Sequence, residues 1–282
     1  MPRPAGGASA PDSRAAVQCA LNPRSVAVLG ASDDLMKWGG SILALLRKFG
    51  FGGAVHPVNP RADAVQGIKA WPSVQAIGQP VDVAVIALPQ ERTEAAFEDC
   101  AAAGVKVILM VTSQFAESGA EGAALQDKLL AIARRAGMRI IGPNCMGYFN
   151  SHADMNLLNS QALMRNASLI KGEVALISQS GALAGAMLAR AYDLGVGFSI
   201  CVSLGNQADL EVCDFLDYAI DDARSKVIAL YVEGVRDGAR LTFDPSPDHE
   251  FVHRAHPPVA VVAEASFEPP LAPGAAPPGD TA

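Results

Sequence analysis

Two segments of the chain bring together residue types suited to holding a phosphorylated ligand. Residues 138–147 read Met-Arg-Ile-Ile-Gly-Pro-Asn-Cys-Met-Gly, and residues 172–181 read Gly-Glu-Val-Ala-Leu-Ile-Ser-Gln-Ser-Gly. Each is an apolar run that ends abruptly in small and polar residues, as a buried parallel strand does where its C-terminal end meets a ligand crevice. In the second segment Ser178, Gln179, Ser180 and Gly181 precede an apolar stretch that begins near Ala182. Two hydroxyls beside the free amides of a helix start make a cradle for a phosphoryl group. Plain N-capping by Ser178 or Ser180 is the structural alternative. A nucleophile elbow fits poorly, because Ile177 occupies the place of its first glycine. Gly205 and Asn206, within Ser203–Asp209, repeat the strand-to-helix pattern, and Glu233 follows another apolar run. A carboxylate there can orient an imidazole, or it is an ordinary surface acid.

A second group of residues suggests a nucleotide crevice. Val26–Gly30 reads as a short buried strand followed by Ala31 and Ser32. Glycine at a strand end lets backbone approach a phosphate, and Ser32 can donate its hydroxyl; an ordinary β-α turn would look the same. The chain lacks a G-x-G-x-x-G run here, and the next strand lacks the acid that grips a free ribose. It ends instead in His-Pro-Val-Asn-Pro-Arg, with Asn59 and Arg61. An arginine suits a ribose phosphate, which coenzyme A carries at the 3′ position and NADP at the 2′; a solvated loop cation is equally consistent. Leu88 and Pro89 offer an apolar edge to an adenine. Thr112 and Ser113 end a fourth strand, and Asn144 and Cys145 follow a fifth. Cys145 has no histidine near it in sequence, so it reads as a small buried residue in a ligand-contacting loop rather than a nucleophile.

These residues need a scaffold that collects strand ends on one side. Strands are expected over Ser25–Gly30, Ala54–Val58, Val81–Leu88, Val105–Val111 and Met138–Ile141, with helices over Gly40–Phe49, Glu91–Ala103 and Gly119–Ala136. The alternation implies a parallel sheet with right-handed crossovers. Tyr148–Lys171 shows no strong period. Beyond it Val174–Ser178, Ala182–Leu194, Gly197–Leu204, Asp209–Ala219 and Lys226–Tyr231 repeat the β-α-β-α-β order, which gives a second sheet of three clear strands. Pro258–Ala263 is one further possible strand in a Pro- and Ala-rich tail, and residues 1–16 read as a disordered leader. The 282 residues are half hydrophobic, enough for two cores. A net charge of −7 argues against nucleic acid as a partner. Five scattered cysteines, never spaced C-x-x-C, argue against disulfides and zinc, so a cytoplasmic setting is expected. No apolar run reaches membrane-spanning length.

Taken in order, Asn22–Ser32, Pro57–Pro60, Phe115–Gly119, Gly142–Gly147, Ser178–Leu183, Gly197–Ser199 with Ser203–Asn206, and Tyr231–Gly234 resemble a known family. They are similar to the CoA-binding and succinyl-CoA-synthetase-like domains of ADP-forming (NDP-forming) acyl-CoA synthetases of the acetate–CoA ligase alpha type. A more distant likeness is to the alpha subunit of succinyl-CoA synthetase. The resemblance runs from Leu21 to about Arg240. It implies an α/β protein with a Rossmann-like CoA-binding domain (17–150), an incomplete flavodoxin-like domain (151–240) and a divergent tail (241–282). It also implies an acid–CoA ligase reaction (acyl-CoA + ADP + phosphate = acid + CoA + ATP) that runs through a phosphohistidine. Coenzyme A or acyl-CoA would lie against Gly30, Ser32, Asn59, Arg61 and the Asn144 loop. The phosphohistidine would be held between Ser178–Gly181 and the Gly205–Asp209 turn, with Glu233 orienting it. ATP or ADP would enter through a separate ATP-grasp domain or beta subunit, and an oligomer is expected.

The chain departs from this pattern in two places. The Ser-His-Thr segment that carries the family's phosphohistidine has no counterpart. His249, His253 and His256 precede the possible last strand in an unrelated context. Gln114 stands where the family usually has glycine. Divergence after Arg240, by frameshift or truncation, is therefore expected, along with loss of ligase activity in this chain alone. A non-catalytic CoA-binding regulatory module and an NADP-binding protein are the other readings.

Overall fold

The computed structural model describes residues 12–234 and the backbone of 260–265. The chain opens with α1 (Ser13–Leu21), capped by Asp12, whose side chain accepts from the Arg14 amide. The expected leader therefore overruns a helix by four residues, and residues 1–11 lie outside the described residues. The helix forms because Ala16, Val17, Ala20 and Leu21 make one apolar stripe that is buried along its length.

The first sheet alternates with its helices as expected: β1 (Ser25–Leu29), α2 (Trp38–Lys48), β2 (Ala54–Val58), a small hairpin β3 (Ala64–Val65) and β4 (Ile68–Lys69), then β5 (Val83–Ile86), α3 (Thr93–Ala102), β6 (Val107–Met110), α4 (Ala120–Ala136) and β7 (Arg139–Ile141). Strand order is β2-β1-β5-β6-β7, and every pairing is parallel. β1, β5 and β6 are buried on both faces, which is why they read as unbroken apolar runs. The order reverses at β1, so the ends of β1 and β5 diverge and open a crevice at Gly30 and Leu88.

The second sheet is larger than the sequence suggests. It contains β8 (Tyr148–Asn150), β9 (Met155–Asn156), β10 (Lys171–Ser178), β11 (Phe198–Ser203), β12 (Val227–Val232) and β13 (Ala260–Ala265), with α5 (Gln161–Arg165), α6 (Gly181–Asp193) and α7 (Val212–Asp221). Its order is β13-β12-β10-β11-β8-β9, so it has six strands where three were clear from the sequence. β8 and β9 form an antiparallel edge on β11. Both Tyr148 and Phe149 are fully buried, so the segment lacks the alternation that would have marked it as a strand. The expected boundary at 150 also moves: residues 148–150 already belong to the second sheet. β13 pairs parallel to β12, close to the strand expected at 258–263. The remaining tail calls, including His249, His253 and His256, lie outside the described residues.

The two sheets share one core. Val17 and Leu21 of α1, Leu109 and Ile141 of the first sheet, and Tyr148, Ile177, Val212 and Phe215 of the second unit form a continuous buried cluster. α1 lies against α7, with Asn22 Nδ2 donating to Tyr218 Oη at 3.3 Å and Arg14 paired to Asp221 at 2.7 Å. Among the described residues no helix is long and apolar enough to cross a membrane.

Candidate functional site

Strand ends from both sheets face one cleft of about 1030 Å³. The first sheet contributes Gly30, Leu88, Pro89, Thr112, Ser113, Asn144 and Cys145; the second contributes Gln179, Ser180, Gly181, Gly205, Asn206 and Glu233. What the sequence presents as two crevices is a single space. A second cavity of about 610 Å³ adjoins it and is lined by Ala31, Ser32, Asn59 and Arg61. Gly30, Lys37, Ala87, Leu88, Pro89 and Glu91 border both cavities and form the neck between them.

Close backbone approach shapes that neck. Gly30 has φ +85°, and a Cβ there would drive into the carbonyl oxygen of Ala87. Asn59 serves the scaffold, donating from Nδ2 to the Ala31 carbonyl at 3.0 Å while its Oδ1 accepts from the Arg61 amide at 2.9 Å. It thus ties the ends of β1 and β2 together and fixes the start of the Arg61 loop. Thr112 likewise donates to the Leu88 carbonyl at 2.7 Å.

At the second sheet, Ser178 is fully buried and donates to the Ser180 carbonyl at 2.8 Å. It shapes the loop from beneath and does not line the cleft, contrary to the phosphate contact expected of it. Ser180 is the N-cap of α6; its Oγ accepts from the Leu183 amide at 3.3 Å. Gln179 has a role that its position in the motif does not reveal. Its Oε1 accepts from the amides of Glu233 and Gly234, the latter at 2.9 Å, and its Nε2 donates to the Gly234 carbonyl. One side-chain amide therefore fixes the main chain that carries Glu233, whose side chain is exposed at the cleft wall.

The cleft floor is a seam between the domains. Gly205 has φ +57° and lies against the backbone of Pro143 and Asn144, where a side chain would collide. The amides of Asn206 and Ala208 donate to the carbonyls of Pro143 and Gly142 at 2.9 and 2.8 Å. Asn206 also donates to Glu117 and, at 3.1 Å, to Gln126. Glu117 in turn accepts from the amides of Gln114 (2.7 Å) and Phe115 (3.1 Å). Partial burial alone would raise the Glu117 carboxyl, but the hydrogen bonds from Asn206 and the loop amides outweigh it and hold the group below the usual carboxylate range. This gives the Phe115–Gly119 motif a physical task. Gln114, at φ +77°, occupies the left-handed region that favours glycine.

Asp209 belongs to the seam, not to a ligand. Its carboxylate takes a two-pronged ion pair from Arg139, at 2.7 and 3.2 Å, together with the Ile140 amide at 3.0 Å. Cys145 is 3% exposed, and its Sγ lies 3.4 Å from the Met110 carbonyl. Burial pushes its thiol up to about 12, so it stays protonated and is no nucleophile.

Residues 24–151 match the family described as CoA binding domain, and residues 171–243 match the family described as succinyl-CoA ligase like flavodoxin domain. Over 221 residues the chain is 42% identical to the alpha subunit of acetate–CoA ligase [ADP-forming] II of Pyrococcus furiosus, covering 78% of this chain and 47% of that protein. It is 40% identical over 215 residues to an acetate–CoA ligase [ADP-forming] of Methanocaldococcus jannaschii, covering 76% of this chain and 29% of the relative. A solved structure of acetyl-coenzyme A synthetase 1 from Ca. Korarchaeum cryptofilum, in complex with phosphate and ADP, superposes with a TM-score of 0.74 at 39% identity, covering 79% of this chain and 46% of that one. The chain thus spans less than half the length of these relatives.

Proposed function

We propose that this chain, in which residues 24–151 match a CoA binding domain and residues 171–243 a succinyl-CoA ligase like flavodoxin domain, is the CoA-binding, alpha-type component of an acid–CoA ligase. The observation that carries this reading is the joined pair of cavities. The space beside Arg61 suits the phosphorylated ribose end of coenzyme A, and the narrow neck at Gly30 and Leu88 suits its extended pantetheine arm. The thiol then reaches the cleft where the start of α6 and Glu233 face each other. Free amides at that helix start favour a phosphoryl or acyl-phosphate group. Glu233, anchored through Gln179, is the base or orienting acid available beside it. An ATP-grasp domain or beta subunit supplies nucleotide chemistry.

Ligation by this chain alone is not expected. Among the described residues no histidine lines the cleft: His56 lies on β2, and His152 contacts the Gly172 carbonyl at 3.0 Å. The same observation favours a second reading, a non-catalytic sensor of CoA or acyl-CoA. Calorimetric titration of the whole chain with CoA, 3′-dephospho-CoA and NADP tests the binding. We expect CoA to bind, to weaken by about tenfold without its 3′-phosphate, and NADP to give no signal. Binding of NADP alone would overturn the reading. Sustained ATP- and CoA-dependent acyl-CoA formation by the purified chain would overturn the expected inactivity.

A further inference from the structure

The loop between β1 and α2 exposes apolar side chains that the fold does not use. Leu35 is 48% exposed, Met36 91% and Trp38 40%. Met36 and Trp38 both line the large cleft, and neither lines the cavity beside Arg61. Between them in sequence is Lys37, which borders both cavities. The apolar pair therefore lies beyond the neck, on the side opposite the ribose-phosphate end.

The loop is built in place. Ser32 Oγ accepts from the Asp34 amide at 3.1 Å, and Asp34 Oδ1 accepts from the Met36 amide at 2.9 Å. Gln66 clasps it from outside, its amide donating to Asp33 at 2.6 Å and its Nε2 to the carbonyls of Ser32 and Gly40 at 2.9 and 2.8 Å. Gly39 and Gly40 press the start of α2 onto the backbone of Gly30 and Asp34, where no Cβ fits. Trp38 is thus the first helical residue of an element packed closely against the neck. Apolar side chains presented to water at the edge of a cleft mark a binding surface.

We infer that Met36 and Trp38 form the acyl-binding platform of the cleft and that the preferred thioester carries an uncharged, apolar acyl group. This rests on the reading of the cleft as a CoA site, and it adds the substrate class. The charges point the same way: Glu91, Glu117 and Glu233 line this cleft, against Lys37 as its lining cation among the described residues. A second carboxylate on the acyl group would meet three acidic side chains against the single ammonium of Lys37 among the described lining residues.

The test is calorimetric titration of the whole chain with CoA, hexanoyl-CoA and succinyl-CoA, repeated on Trp38→Ala and Met36→Ser. Met36 is so exposed that its replacement leaves the fold intact. Hexanoyl-CoA should bind on the order of tenfold tighter than CoA, and succinyl-CoA no tighter than CoA. Each variant should lose most of the hexanoyl advantage and keep its affinity for CoA. Equal affinity for CoA and hexanoyl-CoA, or an advantage that survives in both variants, would overturn this inference while leaving the CoA reading standing. A wild-type chain that binds neither CoA nor any thioester would overturn both.

Discussion

Gln114 is the residue whose chemistry most plainly disagrees with its conformation. At φ +77° it bears the steric cost of a Cβ in the left-handed region, while its amide is held by Glu117. Glycine relieves that cost and adds some unfolded-state freedom, so Gln114→Gly should stabilise the chain by about 0.5–1 kcal/mol. A urea midpoint that falls on substitution would contradict this. His56 gives the chain a pH response. It is 9% exposed and its Nε2 has no hydrogen-bond partner; burial holds its pKa below the usual value near 6.5. A depressed folded-state pKa means that the unfolded chain takes up the proton first. Stability should therefore be complete above about pH 6.5 and fall as the solution is acidified through the lower folded-state pKa. His56→Leu should flatten the dependence of the urea midpoint between pH 7 and pH 5; an unchanged slope would show that other groups set it. These two residues also mark what sequence reading can reach. The Gln114 departure was visible as a missing glycine, whereas nothing in the order His-Pro-Val tells that an imidazole will be buried without a partner.

At the scale of elements, the long parallel strands and their helices were legible because burial on both faces leaves a plain apolar run between turn residues. β8 and β9 were not: they are buried too, but at three and two residues they are too short to leave an apolar run, and they lie inside a stretch without period. Of the candidate site, the glycine and serine loops were legible. The roles of Gln179, Glu117 and Asp209 were not, because each engages a group brought near only by folding, 54, 89 and 69 residues away in sequence. Asp209 gives the sharpest test. Its pairing with Arg139 leaves both side chains near one-tenth exposed. Asp209→Asn removes the charge that faces a buried guanidinium and should cost about 3 kcal/mol, while replacing both partners with leucine should recover part of that loss. A double variant no better than the single one would show that the seam depends on shape rather than on charge.

At the scale of the whole molecule, one hydrophobic cluster runs through both sheets, with α1 as a strut between them. We expect a single calorimetric unfolding transition in which both domains melt together. Leu21, fully buried in that shared core, should lower the single transition when cut to alanine, by roughly 2–5 kcal/mol of stability. Two separated transitions, only one of them sensitive to Leu21→Ala, would show independent domains. Cooperativity of this kind matters to the site, because the ligand cleft is floored by loops of both units and vanishes if they part.

The crossing at Gly147 also decides where nature or an experimenter can divide such a chain. β8 follows directly on the last loop of the first unit, yet it shields the flank of β11 at Ile200–Val202. A fragment starting at Ser151 would bare that flank, with its unpaired amides and carbonyls open to pairing with another copy. One starting at Gly147 would keep the strand that covers it. Exchange of this second unit between proteins should therefore carry its short antiparallel border along, and recombinants cut four residues later, at Ser151, should aggregate.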